Sequence, residues 1–255
     1  MNRYWEVKAK VKGKVGELML YGDISSAQMW GDEITPLQID SELKALGDIN
    51  TLNVHICSGG GSVPAGQAIY SLIKRHGASE KVAYIDGLAA SISSLIPCAC
   101  HKTIMPSNAM TMWHKPWGGI SGNADAMRQR ADVMDKFEET IINAYEEKTG
   151  MSREKIAEMM AVETWMTAKE ALACGFIDEI EEDMKVAASI NGDFLNYGDV
   201  KIDTTNFKNF KPETIEMYRG DDPEPVANNE GPETPNLSAQ NAEFHALKLK
   251  LLGGQ

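Results

Sequence analysis

The chain has 255 residues, 43% of them hydrophobic, and 25 basic against 37 acidic side chains give a formal charge of −12. That length admits one large domain, or one domain with appendages, with enough apolar side chains for a real core. The acidic balance favours solubility and argues against nucleic acid or anionic membranes as partners, and no apolar run approaches the roughly 18 residues of a membrane-spanning helix.

Residues 5–11 alternate apolar and polar side chains and predict a strand, and Glu17 to Tyr21 predict a second, more buried one closed by Gly22 and Asp23. From Pro36 to Leu46 the apolar positions Ile39, Leu43 and Leu46 fall at helical spacing, with Pro36 suited to a first helical position and Gly47 to the stop. A strand over Leu52 to Ile56 runs into the sharp turn Cys57-Ser58-Gly59-Gly60-Gly61-Ser62, after which Pro64 to Lys74 resume helical spacing. Next, the strand-like run Val82 to Ile85 leads into Gly87-Leu88-Ala89-Ala90-Ser91-Ile92-Ser93-Ser94, which reads as the start of a small-residue helix. Strands alternating with helices imply right-handed crossovers and an α/β fold with a largely parallel sheet flanked by helices.

Two short strands, Lys102 to Met105 and Ala109 to Trp113, flank the turn Pro106-Ser107-Asn108, and His114 follows the second. Asn123 to Lys148 predict the longest helix, with Met127, Met134, Phe137, Ile141 and Tyr145 on one face and Gly150 as its C-terminal stop. A shorter helix follows Ser152, and Thr167-Ala168-Lys169-Glu170 has capping-box spacing for another that closes near Gly175. The patterned domain ends at about residue 186, and residues 187–255 form an extension in which Phe194 to Ile202 add a strand or two. Pro223, Pro225, Pro232 and Pro235 among acidic and Asn residues make 220–237 a disordered linker. Ser238 to Leu252 then have the spacing of a short amphipathic helix, either a frayed tail or a partner-docking segment, since isolated helices of that length are marginal in water.

Glycine turns after strands often cradle phosphates, but here there is no GxxxxGK[ST], no GxGxxG and no lysine directly after the turn. The turn is either an ordinary connection or a source of oxyanion-binding N–H groups, with Gly61 as the candidate donor. Ser91 opens a helix whose N-terminal N–H groups favour developing negative charge, so it is either a tightly packed helix start or a nucleophile, with the Ile92 N–H as a second donor. His55, His76, His101 and His245 read as structural or exposed. His114 ends a strand that a parallel layout sets beside the strand feeding Ser91, and ligands bind such strand ends. A general base there needs a carboxylate at its far nitrogen, and spacing alone leaves several acids open. Cys57, Cys98, Cys100 and Cys174 lie in or beside apolar runs without CxxC spacing, which suggests buried thiols in a reducing compartment and neither zinc nor disulfides. With no signal-peptide core in Met-Asn-Arg-Tyr-Trp-Glu, a cytoplasmic protein is expected.

Together, Cys57-Ser58-Gly59-Gly60-Gly61-Ser62-Val63-Pro64-Ala65-Gly66, Gly87-Leu88-Ala89-Ala90-Ser91 and Met112-Trp113-His114-Lys115-Pro116-Trp117-Gly118-Gly119 closely resemble three signature blocks of the Clp protease proteolytic subunit family. A fourth block, Glu163 to Ala171 continuing through Gly175-Phe176-Ile177-Asp178, resembles the family's last block, so the similarity runs in order from about residue 15 to 182. The resemblance implies the repeated β-β-α units shared with the crotonase fold and a long protruding helix. It makes Ser91 the nucleophile, His114 the general base, and the N–H groups of Gly61 and Ile92 the oxyanion hole. Where the family has an aspartate as third member, this chain has Glu163, which keeps the charge and adds a methylene. Asp178 falls at a position the family uses near its last strand, outside the triad.

By the same resemblance the chain assembles into homo-oligomeric rings, cleaves protein substrates, needs no metal or other cofactor, and works with a separate Clp-type ATPase if it serves as a general proteolytic chamber. Gly59 in place of a proline, Leu88 and Ile92 in place of Gln and Met, and the acidic extension look more like the related head maturation proteases of phages and prophages, which process scaffold and capsid proteins in prohead assembly. A non-catalytic structural assembly factor and a crotonase-type enzyme acting on coenzyme A thioesters are the remaining alternatives.

Overall fold

Leu18 and Leu20, alternate residues of strand β2 (Val15–Tyr21), are fully buried, and Leu52, Val54 and Ile56 repeat the pattern in β3 (Thr51–Ser58). Period-two alternation places these side chains on one face of a sheet, where helices α1 (Pro36–Leu46) and α2 (Val63–Arg75) meet them through Ile39, Leu43, Leu46, Ile69 and Ile73. Each such side chain fully buried contributes roughly 1.5–3 kcal/mol. This computed structural model describes residues 9–28, 33–181, 188–191, 194–197 and 200–203. The expected start of the first strand at residue 5, the 220–237 linker and the 238–252 helix lie outside the described residues.

The main sheet has the order β1-β2-β3-β4-β5-β8, with β1 at Ala9–Lys12, β4 at Glu80–Ala90, β5 at Lys102–Pro106 and β8 at Glu179–Glu181. Only β1 is antiparallel along that path; β2 through β8 run parallel, as the alternation of strands and helices predicts. Two further strands, β6 (Met110–Trp113) and β7 (Thr164–Thr167), leave it sideways, β6 pairing parallel with the end of β4 and β7 antiparallel with β6. Three short strands, β9 (Ala188–Asn191), β10 (Phe194–Tyr197) and β11 (Val200–Asp203), make a separate antiparallel sheet.

Helix α1 has the predicted bounds, opened by a Thr35/Gln38 capping box with Pro36 in its first turn. The structure differs at β4, which does not stop near Asp86 but continues to Ala90, because its last residues find a partner in β6. The next element is a 3-10 helix, Ser91–Ala99, rather than an α-helix. Helix α3 (Ala124–Thr149) ends at its expected left-handed Gly150, while Asn123, expected as its first residue, is its N-cap. Its expected apolar face is buried only near the C-terminal end, at Ile141, Ile142, Ala144 and Tyr145, while Met127 and Val133 are exposed in the subunit. Helices α4 (Arg153–Ala161) and α5 (Ala168–Ala173) return the chain to the sheet. Among the described residues, no helix is long and apolar enough to cross a membrane.

The sheet face opposite α1 and α2 carries a polar network centred on His55. Its Nδ1 lies 2.9 Å from Asp86 Oδ2 and its Nε2 3.0 Å from Glu17 Oε2. The Tyr21 hydroxyl donates to the same Asp86 oxygen, Asn53 donates to Glu17, and Tyr84 stacks on the imidazole. Burial alone would lower the His55 pKa, but the hydrogen bonds and charge of Asp86 and then Glu17 outweigh it and leave the pKa raised. A raised folded-state pKa stabilises the fold fully below the unfolded value, about 6.5, and that stability is lost as pH rises through the folded value. The melting-temperature gap between wild type and His55→Gln is therefore expected to be widest at pH 6 and to narrow toward pH 8.5. A gap independent of pH would contradict this.

Candidate active site

Ser91 stands where β4 ends and the 3-10 helix begins, with φ at 55°. This left-handed conformation costs an ordinary residue about 1–3 kcal/mol and persists only where the surroundings over-determine it. Several groups do so. The Ser93 hydroxyl shares its one proton between the Ala90 carbonyl and that of Ser58, tying the elbow to the glycine turn, and Thr111 on β6 donates to the Ala89 carbonyl. The turn itself presses close: a Cβ on Gly60 would lie 2.6 Å from Ser91 Cβ.

Strand register explains how His114 and Glu163, far apart in the chain, reach this elbow. In the parallel β4–β6 pair Ala90 lies opposite Met112, so the end of β6 delivers His114 beside Ser91. In the antiparallel β6–β7 pair Trp113 lies opposite Thr164, and one further step sets His114 opposite Glu163. The Lys115 N–H bonds the Met160 carbonyl at the end of α4 and holds the two chain segments together past the strands. Ser91 Oγ is 2.7 Å from His114 Nε2, and Glu163 Oε2 is 3.7 Å from His114 Nδ1. The first is a good hydrogen bond; the second is too long for one but sets the carboxylate beside the imidazole, with the two side chains only 11% and 8% exposed. Trp165 Nε1 donates to the other Glu163 oxygen, and Glu163 itself has φ at 52°.

Gly61 has φ at 139°, and a Cβ there would lie 2.1 Å from the Ile24 carbonyl oxygen, so only glycine fits. Ile24 bonds the Gly60 carbonyl and the Ser62 N–H, which turns Gly61's own N–H to the side away from Ile24. Ile92 is the second residue of the 3-10 helix, where N–H groups have no partner one turn earlier. Both belong to the wall of a cleft of about 550 Å³ that also takes in Ser91, His114, Ile141 and Tyr145.

This arrangement can take a proton from Ser91 onto an imidazole whose resulting charge faces a shielded carboxylate. A thiol is a poorer candidate here: burial pushes Cys57, at the end of β3, up to about 12. Asp178 is engaged elsewhere, accepting from the Thr103 N–H and the Lys148 ammonium. Among the described residues, no group of three or more His, Cys, Asp or Glu side chains is placed to hold a metal ion. Sequence reading missed β7, Ser93 and the Ser94–Tyr145 contact. β7 is short, lies between two helices and forms only through its pairing with β6, and both serines sit in an apolar helix with no spacing that marks them.

The pattern of the Clp protease family matches residues 22–184. ATP-dependent Clp protease proteolytic subunit 2 of Thermobifida fusca (strain YX) is 35% identical over 131 residues, which is 51% of this chain and 64% of the relative. Proteolytic subunit 1 of Leifsonia xyli subsp. xyli (strain CTCB07) is 31% identical over 141 residues, covering 54% and 71% respectively. The proteolytic subunit of Borrelia garinii subsp. bavariensis is 33% identical over 129 residues, covering 50% and 66%. The matched span begins at the end of β2, takes in the glycine turn, the serine elbow, β6 and β7, and closes just after β8, so the parts that build this site are the parts held in common: the chain belongs to the Clp protease family.

Proposed function

We propose that this chain is a serine endopeptidase subunit. Ser91 Oγ attacks a peptide carbonyl, and His114 takes the serine proton and returns it to the leaving amine. Glu163 faces the imidazolium that forms between these steps, and the N–H groups of Gly61 and Ile92 receive the oxyanion. The 2.7 Å contact between Ser91 Oγ and His114 Nε2 carries the proposal. The apolar wall that Val63, Ile92 and Ile141 give the cleft suits an uncharged substrate side chain beside the scissile bond. A crotonase-type reaction gives the Ser91–His114 contact no role, and a purely structural role leaves two strained residues meeting at one imidazole without purpose.

Subunit assembly belongs to the same proposal. Met127 and Val133 are exposed on the N-terminal half of α3, and Trp117 and Ile120 are exposed in the loop before it. Apolar side chains spaced this way suit a ring built by contacts between copies. Two substrate classes fit such a ring. Degradation in a chamber fed by a separate Clp-type ATPase is in keeping with the relatives' names. Processing of scaffold and capsid proteins in a phage prohead is favoured by Gly59, Leu88, Ile92 and the acidic extension.

Three results are expected. Incubation with a fluorophosphonate probe, read by peptide mapping, labels Ser91 in the wild type and nothing in Ser91→Ala; a label elsewhere, or none in the assembled protein, contradicts the mechanism. Glu163→Gln lowers kcat by on the order of 10²-fold, less than the roughly 10⁴-fold seen where the carboxylate hydrogen-bonds the imidazole; an unchanged kcat removes Glu163 from the mechanism. Met127→Lys combined with Val133→Lys reduces the solution mass measured by light scattering toward that of one subunit, and an unchanged mass places the subunit contacts elsewhere.

A further inference from the structure

Behind Ser91 lies a buried polar pair that the proposed chemistry does not use. The Ser94 hydroxyl, fully shielded from solvent, donates to the main-chain carbonyl of Ser91 itself, and its oxygen lies 2.6 Å from the Tyr145 hydroxyl. Ser94 has one proton and a carbonyl can only accept, so that proton is committed to Ser91 and the bond to Tyr145 must run from the tyrosine. The direction is fixed: Tyr145 O–H to Ser94 Oγ, Ser94 O–H to the Ser91 carbonyl. Burial raises the Tyr145 pKa, which keeps its proton in place.

We propose that Tyr145 and Ser94 form a positioning relay that holds the strained Ser91 elbow in its reactive geometry and ties it to the strand bearing His114. The proposal rests on the serine peptidase mechanism and adds to it a pair of residues that touch neither substrate proton nor oxyanion. Three observations meet in it. Ser91 has φ at 55° and needs its carbonyl fixed if Oγ is to stay aimed at His114. The Tyr145 ring stacks on Trp113 with centroids 4.0 Å apart and planes 8° apart, and Trp113 is the residue before His114. Phe176 closes the third side, edge-on to both rings. One aromatic ring is thus anchored to the base's strand by stacking and to the nucleophile's carbonyl through Ser94, so the two reacting side chains share a reference point. Because Tyr145 sits in the last turns of α3, the relay also connects the elbow to the body of that helix.

The relay is serial, and that gives it a signature that simple packing lacks. Tyr145→Phe keeps the ring, the stack and the volume and removes only the donor; Ser94→Ala removes the donor to Ser91. Ser91 labelling by the fluorophosphonate and peptide kcat are read together, with melting temperature as the folding control. Tyr145→Phe is expected to lower both rate constants by about tenfold and Ser94→Ala by about tenfold or more, with KM for a short peptide little changed. The double variant should be no slower than Ser94→Ala alone, since the tyrosine has nothing left to act through. Multiplicative losses in the double variant, or wild-type labelling and kcat in a folded Tyr145→Phe, overturn the relay while leaving Ser91 as nucleophile. A wild-type protein that never labels at Ser91 removes the mechanism and the relay together, whereas labelling at Ser91 with both single variants at full rate removes only the relay.

Discussion

The site depends on one register: β4 beside β6 and β6 beside β7, with Ala90 opposite Met112 and Trp113 opposite Thr164. Strand pairing is all-or-none in the sense that a slip of one residue turns every side chain to the other face. Had β6 slipped by one against either neighbour, His114 would point away from Ser91 or from Glu163. The main parallel sheet builds the core, but these short sideways strands set the distances. All four residues of β6 are buried, and those of β7 are at least half-buried, which pins the register through packing rather than through the few hydrogen bonds the ladders contain.

Strain is concentrated at the two ends of the same constellation. Ser91 and Glu163 are the non-glycine residues with positive φ among the described residues, and His114 stands between them. An elbow of this kind lifts a side chain clear of the backbone and exposes it to a cleft, at a cost the surrounding contacts must offset. At Ser91 the offset comes from Ser93, Ser94 and Thr111, each giving a hydroxyl proton to a carbonyl at the end of β4 or at Ser91 itself. At Glu163 it comes from the turn closing α4 and from the Trp165 indole. The extra methylene of a glutamate, set against the aspartate usual in the resembled family, is consistent with a carboxylate that approaches His114 to 3.7 Å and turns its other oxygen to a tryptophan.

Much of this was legible in the residues. Pro36 and Gly47 bound α1 by chemistry that acts within a turn, and Gly150 does the same at the end of α3. The glycine turn, the small residues before Ser91 and the histidine at a strand end marked the site because each is a local exception to ordinary packing. The features that stayed hidden depend on distant partners. β4 runs on to Ala90 because β6 arrives to pair with it on one side while Ser58 of β3 pairs with Ala89 on the other. Met127 belongs by spacing to an apolar face, yet among the described residues it stays half exposed where Ile141 and Tyr145 are buried. Tyr145 read as one more apolar position, since its hydroxyl's partner lies 51 residues earlier in the chain.

The most direct test of the serine mechanism is a crystal structure of the assembled protein after reaction with a short peptide boronate. The mechanism predicts a covalent bond from Ser91 Oγ to boron, one boronate oxygen within hydrogen-bond distance of the Gly61 and Ile92 N–H groups, and His114 Nε2 facing the other. An adduct on another residue, or a boronate oxygen turned away from both N–H groups, would contradict it.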